Sequence, residues 1–176
     1  MKNQKMKRLA ALIPLSRDHG IGLVCAQYGR KAVRACEDDR LQLAEQMRVV
    51  CHEEIILNLE DEQWILSPVI GDDKLRAEFH QRHRNIRELS AELSSVELSE
   101  DPGLGLVARI ANALDDYVRW AEHTLFPRIE QGSECAQLQH VARLTADMEK
   151  QRNRRGQRLH SSIKLQQPSG LRTIAS

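Results

Sequence analysis

The sequence predicts an all-α fold, an up-down-up-down four-helix bundle with a C-terminal helical extension. Three observations predict it. Apolar residues recur every three or four positions through four long stretches, the mark of helices with one buried face. Aromatic residues make up only 3% of the 176-residue chain, and the alternating β-branched and aromatic runs that signal strands are missing. The breaks between the stretches are short and built from Pro, Gly, Asp and Ser, so sequential helices become antiparallel neighbours.

The elements follow in order. Residues 1–12 are a basic lead-in, expected to be loose at its start. The opening MKNQKMKRLAALIPLS mimics a secretory leader. Its apolar run is short, broken by Pro14 and followed by no small-residue cleavage site, so it reads as mature chain. The bundle is expected over 13–132. Its first helix opens near Pro14, tolerated in a first turn, and runs to about Cys36, with Leu15, His19, Gly22, Leu23 and Ala26 along one face. Glu37-Asp38-Asp39 suits a helix N-terminus. The second helix runs from there to Ser67-Pro68 on the stripe Ala44, Met47, Cys51, Ile55, Asn58, Glu62, Ile65. After the Gly71-Asp72-Asp73 link, the third covers about Asp73 to Leu98, on Leu75, Phe79, His83, Ile86, Leu89 and Leu93. The fourth covers roughly Leu104 to Gln131, on Val107, Ile110, Leu114, Tyr117, Ala121 and Leu125. Residues 133–160 form the helical extension, on Cys135, Leu138, Val141, Leu144 and Met148, and the basic run Lys150 to Arg158 reads as a solvated end. Residues 161–176 are expected to be a disordered tail.

Composition narrows the function classes. The chain is one domain by length. At 41% hydrophobic and 29% charged residues it has the make-up of a soluble globular protein. A formal net charge of +1 exerts no global pull toward nucleic acid or an anionic membrane. No run approaches the ~20 apolar residues of a membrane span. Cys25, Cys36, Cys51 and Cys135 form no CxxC pair, which suggests a reducing, cytoplasmic setting with buried thiols.

Each of the four bundle helices places a polar or unusual residue on its core stripe. The first has His19, the second Asn58 and Glu62, the third His83, and the fourth Tyr117 followed by Ala121. A carboxylate such as Glu62 on a core stripe costs several kcal/mol unless it is paired, protonated or metal-bound. In an antiparallel bundle these positions can converge in one layer, and imidazole with carboxylate from facing helices is a common bundle metal site.

At these residues the chain resembles the hemerythrin-like (HHE cation-binding) domains. PLSRDHG looks like that family's first-helix signature. NLEDEQWILSPVI resembles its second-helix pattern, RHRNIREL its third-helix histidine segment, and YVRWAEHTLFPRIE its fourth-helix repeat. The resemblance spans about residues 12–131. It implies a helical bundle holding a metal centre, often di-iron, used in oxygen binding, in oxygen or nitric oxide sensing, or in iron chemistry. His19, Glu62 and His83 match ligand positions. Asn58 and Tyr117 stand where the pattern has His, and Ala121 where it has a second Glu. Glu122 is acidic, but one residue of helix turns it about 100° off the Ala121 face.

The resemblance with these departures implies a reduced, mononuclear site of His19, Glu62 and His83, lined by Asn58, Tyr117 and Ala121. It would take iron, zinc or manganese and admit a small ligand such as oxygen, nitric oxide or peroxide. A metal-free bundle acting as a protein-interaction module is the second reading, and a single-iron oxidase or peroxidase the third; no catalytic residue stands out. His52-Glu53-Glu54 lacks HExxH spacing, because position 56 is Ile. His80 is expected at a helix edge, and His123, His140 and His160 at the surface. Cys51 is expected as a small buried apolar residue, and Trp64 and Trp120 in packing.

Overall fold

The computed structural model describes residues 9–98 and 101–165, without the side chains at 37, 38, 101, 102 and 153–165. Among the described residues the fold is all-helical, with no strand. A 3-10 turn, Ala10–Leu12, leads into α1, Ile13–Arg34. Helix α2 covers 37–66 as one rod of three parts: Glu37–Val50, a π-type wide turn at Cys51–Ile55, and Ile56–Leu66. Helix α3 is Asp73–Ser95. Helix α4 covers 101–132 and has its own wide turn, Ala121–Leu125, between Asp101–Trp120 and Phe126–Gly132. Helix α5 is Cys135–Leu165.

Local chemistry explains the boundaries. Pro14 sits in the first turn of α1, where its missing N–H costs nothing. Asp72 caps α3, its Oδ1 accepting from the backbone N–H of Lys74 at 2.8 Å and of Leu75 at 3.1 Å. The Arg76 guanidinium reaches back to the Ile70 carbonyl at 2.7 and 3.0 Å and closes the link from α2 to α3.

Helix α1 lies along both α2 and α4, and α4 lies along α3. Leu12, Leu15, Met47, Ile65, Phe79, Ile86, Ile110 and Phe126 are fully buried between them. Small residues let the rods approach. A Cβ added at Gly29 of α1 would stand 2.8 Å from Met47 Sδ and 2.9 Å from Ala111 Cβ. No helix among the described residues is long and apolar enough to cross a membrane.

Several sequence expectations need correction. Of the lead-in, Ala11 and Leu12 are buried core, because α5 packs on their turn; residues 1–8 lie outside the described residues. Helix α1 stops at Arg34, α3 stops at Ser95 and α4 starts at Asp101. The extension continues past 160 to Leu165, so 161–165 are helical and not a disordered tail; 166–176 lie outside the described residues. Only Cys25 and Cys51 are buried thiols, whereas Cys36 and Cys135 are exposed. Trp64 does not pack inside; it is 65% exposed. Trp120 is half-buried with the Arg82 guanidinium 4.8 Å above its ring.

A polar cavity in the helical core

Four helices bring one polar side chain or more to a common layer. α1 contributes His19, α2 Glu62, α3 His83 and α4 Tyr117, and all four are buried. Glu62 is the hub. Its Oε2 accepts the Tyr117 hydroxyl proton at 2.5 Å. The same hydroxyl lies 2.8 Å from His83 Nε2, which itself stands 3.5 Å from Glu62 Oε2. The His83 side of the carboxylate is therefore filled by a phenol. The other side is open. His19 Nε2 faces Glu62 Oε1 at 3.4 Å in an ion-pair contact, and neither atom has a hydrogen-bond partner.

A cavity of about 30 Å³ adjoins that open side. Asp18, His19, Asn58, Glu62 and Tyr117 are among its lining residues. It is large enough for a water or a single ion. Asn58 is half-buried and aims an unpartnered Nδ2 into buried space; its neighbour Leu59 takes the core position. Ala121 is fully buried but does not line the cavity, contrary to the sequence expectation.

Glu122 corrects the sequence reading more sharply. Its Oε1 lies 2.7 Å from His19 Nδ1 and also accepts from Ser16 Oγ at 2.7 Å. Glu122 follows the buried cavity-lining Val118 by four residues, so helical spacing carries it to the same side. Helix α4 widens at this point, with the Phe126 N–H bonded to the Ala121 carbonyl five residues back. Ala121 is buried and Glu122 lies at the rim with its side chain 23% exposed. Wide turns of this kind recur at functional sites. The bond at Nδ1 leaves Nε2 as the nitrogen turned toward Glu62.

Electrostatics follow from this wiring. Burial pushes His19 down, but the hydrogen bond to Glu122 and the contact with Glu62 outweigh it and raise its pKa to about 9. Burial pushes Glu62 up, and His19 and His83 together hold it well below the usual carboxylate range. Burial and the Glu62 charge raise Tyr117 well above an ordinary phenol, so its proton stays on and is donated. Among the described residues, no group of three or more His, Cys, Asp or Glu side chains is arranged to hold a metal as it stands. The Tyr117 hydroxyl occupies hydrogen-bonding positions on both His83 Nε2 and Glu62 Oε2.

A second set of charges flanks the layer. Arg152 of α5 donates to Asp18 at 2.5 Å and to Asp61 at 2.6 and 3.1 Å. These aspartates directly precede His19 and Glu62. The basic run read as solvated thus contains a half-buried arginine pinned beside the cavity. Adjacent acids before both core residues were the visible signal, but the sequence names no partner for them. The other histidines stand apart: His80 bonds Ser67 Oγ at 2.8 Å and is half-buried, His52, His123 and His140 are exposed, and the side chain of His160 lies outside the described residues. No protein-family model, curated protein or solved structure matches the chain.

Proposed function

We propose that the protein is a hemerythrin-like, up-down-up-down four-helix bundle that binds one cation in its core through His19 and Glu62, with His83 as third ligand. The observation that supports this reading is the pair of buried atoms without a hydrogen bond, His19 Nε2 and Glu62 Oε1, facing each other beside the small cavity. Their 3.4 Å separation matches the edge of a tetrahedral shell, where bonds of about 2.1 Å put ligand atoms about 3.4 Å apart. His83 Nε2 keeps the same spacing from Glu62 Oε2, 3.5 Å. Imidazole and carboxylate suit iron, zinc or manganese. Bound iron would supply an open position for oxygen, nitric oxide or peroxide, a chemistry suited to sensing or iron handling.

The chain's own residues do the rest. Glu122 and Ser16 orient the His19 ring. Tyr117 donates to Glu62 Oε2 and would have to yield that place for His83 to join. The proton on His19 must leave before Nε2 can ligate, so loading strengthens as pH rises toward 9.

The second reading is a metal-free bundle serving as a protein-interaction module. Tyr117 favours it, because its hydroxyl bonds Glu62 Oε2 and His83 Nε2 together with no metal between them. Metal content by mass spectrometry, on tag-free protein purified without chelator, separates the two. About one iron, zinc or manganese per chain, lost in both His19→Ala and His83→Ala, supports the cation site. Metal retained in the double variant, or folded wild-type protein that takes up none of the three metals when supplied in excess, sinks it.

A further inference from the structure

Cys25 of α1 and Cys51 of α2 are both buried, 0% and 1% exposed, and their sulfurs stand 3.5 Å apart. Buried cysteines ordinarily serve as small apolar residues. Here two of them meet sulfur to sulfur across a helix pair. A disulfide needs the sulfurs about 1.5 Å closer. The place where they meet can give, because Cys51 opens the wide turn of α2, its carbonyl bonded to the Ile56 N–H five residues on. We propose that Cys25 and Cys51 form an oxidisable dithiol that hydrogen peroxide converts to a disulfide, stapling α1 to the wide turn of α2.

The thiols lie close to the core cavity. The core cavity is walled on this side by Gly22 and Ile55. Gly22 lies three residues before Cys25 and Ile55 four after Cys51, so the sulfurs sit about one helical turn beyond that wall. The hydrogen bond with Cys25 favours the thiolate at Cys51, whereas Cys25 itself is pushed above the ordinary thiol range. Cys25 Sγ also donates to the Met47 carbonyl at 3.8 Å, an acceptor that keeps the proton on Cys25 and leaves Cys51 as the attacking sulfur. Its thiolate displaces hydroxide from peroxide, and the departing hydroxide takes a proton to leave as water, giving a sulfenic acid. The Cys25 sulfur then attacks that sulfenic sulfur, and its proton leaves with the hydroxyl as a second water. Two thiols and one peroxide become one disulfide and two waters. The inference needs no metal and stands apart from the cation reading.

The test uses the full chain carrying Cys36→Ser and Cys135→Ser, which removes the two exposed thiols. Folded protein is titrated with hydrogen peroxide and mapped by non-reducing peptide mass spectrometry. The expected result is a Cys25–Cys51 cross-linked peptide, two hydrogens lighter, in most chains. Dithiothreitol reverses it, and it is lost in a further Cys25→Ala variant, where Cys51 is caught as sulfenic acid by dimedone. The proposal is overturned if both thiols stay reduced in the folded chain under peroxide that oxidises them in the unfolded chain, or if Cys51 goes to sulfinic acid with Cys25 untouched.

Discussion

His19 stands between two carboxylates, and that position ties its protonation to folding. In the metal-free chain it holds its proton up to a pKa of about 9, against 6.5 for a free imidazole. A pKa raised on folding contributes stability that is full below 6.5 and is lost as pH rises through 9. The difference corresponds to about 3 kcal/mol. Glu62 works in the opposite sense. Its folded pKa is depressed, so its contribution is present above the ordinary carboxyl value of 4.5 and declines as pH falls below it. Urea unfolding in chelator is therefore expected to show highest stability between pH 4.5 and 6.5. A fall of about 3 kcal/mol should follow by pH 9, and His19→Gln should abolish that fall. A flat profile in wild type would contradict the charged His19.

At the scale of elements, two features were invisible to strict helical periodicity. The wide turns at Cys51–Ile55 and Ala121–Leu125 each lengthen a turn by one residue without breaking the rod. Glu122, which reaches His19, lies within the second. Close approach is the other feature. Gly29 lets α1 approach Met47 of α2 and Ala111 of α4, and Ala111 Cβ is held by its own backbone and cannot swing aside. Gly29→Ala is expected to destabilise the fold by about 1–3 kcal/mol through overpacking, read as a lower urea midpoint at unchanged slope. An unchanged midpoint would mean the helices separate more easily than their packing implies.

For the whole molecule, α5 packs on the turn at 10–12 and along the core helices. Thr145 Oγ1 donates to the Ala11 carbonyl at 3.2 Å, Arg17 pairs with Glu149 at 3.2 Å, and Val141 and Met148 are buried. Arg152 completes this seam beside the cavity. Burial works against its charge, and Asp61 and Asp18 more than compensate. Arg152→Ala leaves Asp18 half-buried without its cation. Amide hydrogen exchange across α5 and the first turn of α1 is expected to accelerate about tenfold or more, as about 1.4 kcal/mol or more of docking is lost, while α3 keeps its protection. Uniform acceleration through all helices would show that α5 is not a separable layer.

The all-helical class, the approximate span of each rod and the core positions of His19, Glu62, His83 and Tyr117 were legible in the sequence. These are encoded locally: a repeat of three or four residues dictates which face is buried, and Pro14 and Asp72 mark their helix starts through bonds within one turn. Which groups meet was settled by the packing of the helices. That Tyr117 fills the His83 side of Glu62, that Glu122 and not Ala121 serves the site, that Cys25 touches Cys51 and that Arg152 seats between Asp18 and Asp61 all depend on contacts between residues 26 to 134 positions apart. Such contacts are set by the register and rotation of packed helices. A single extra residue in one turn changes that rotation by about 100°, and the apolar repeat carries too little information to specify it.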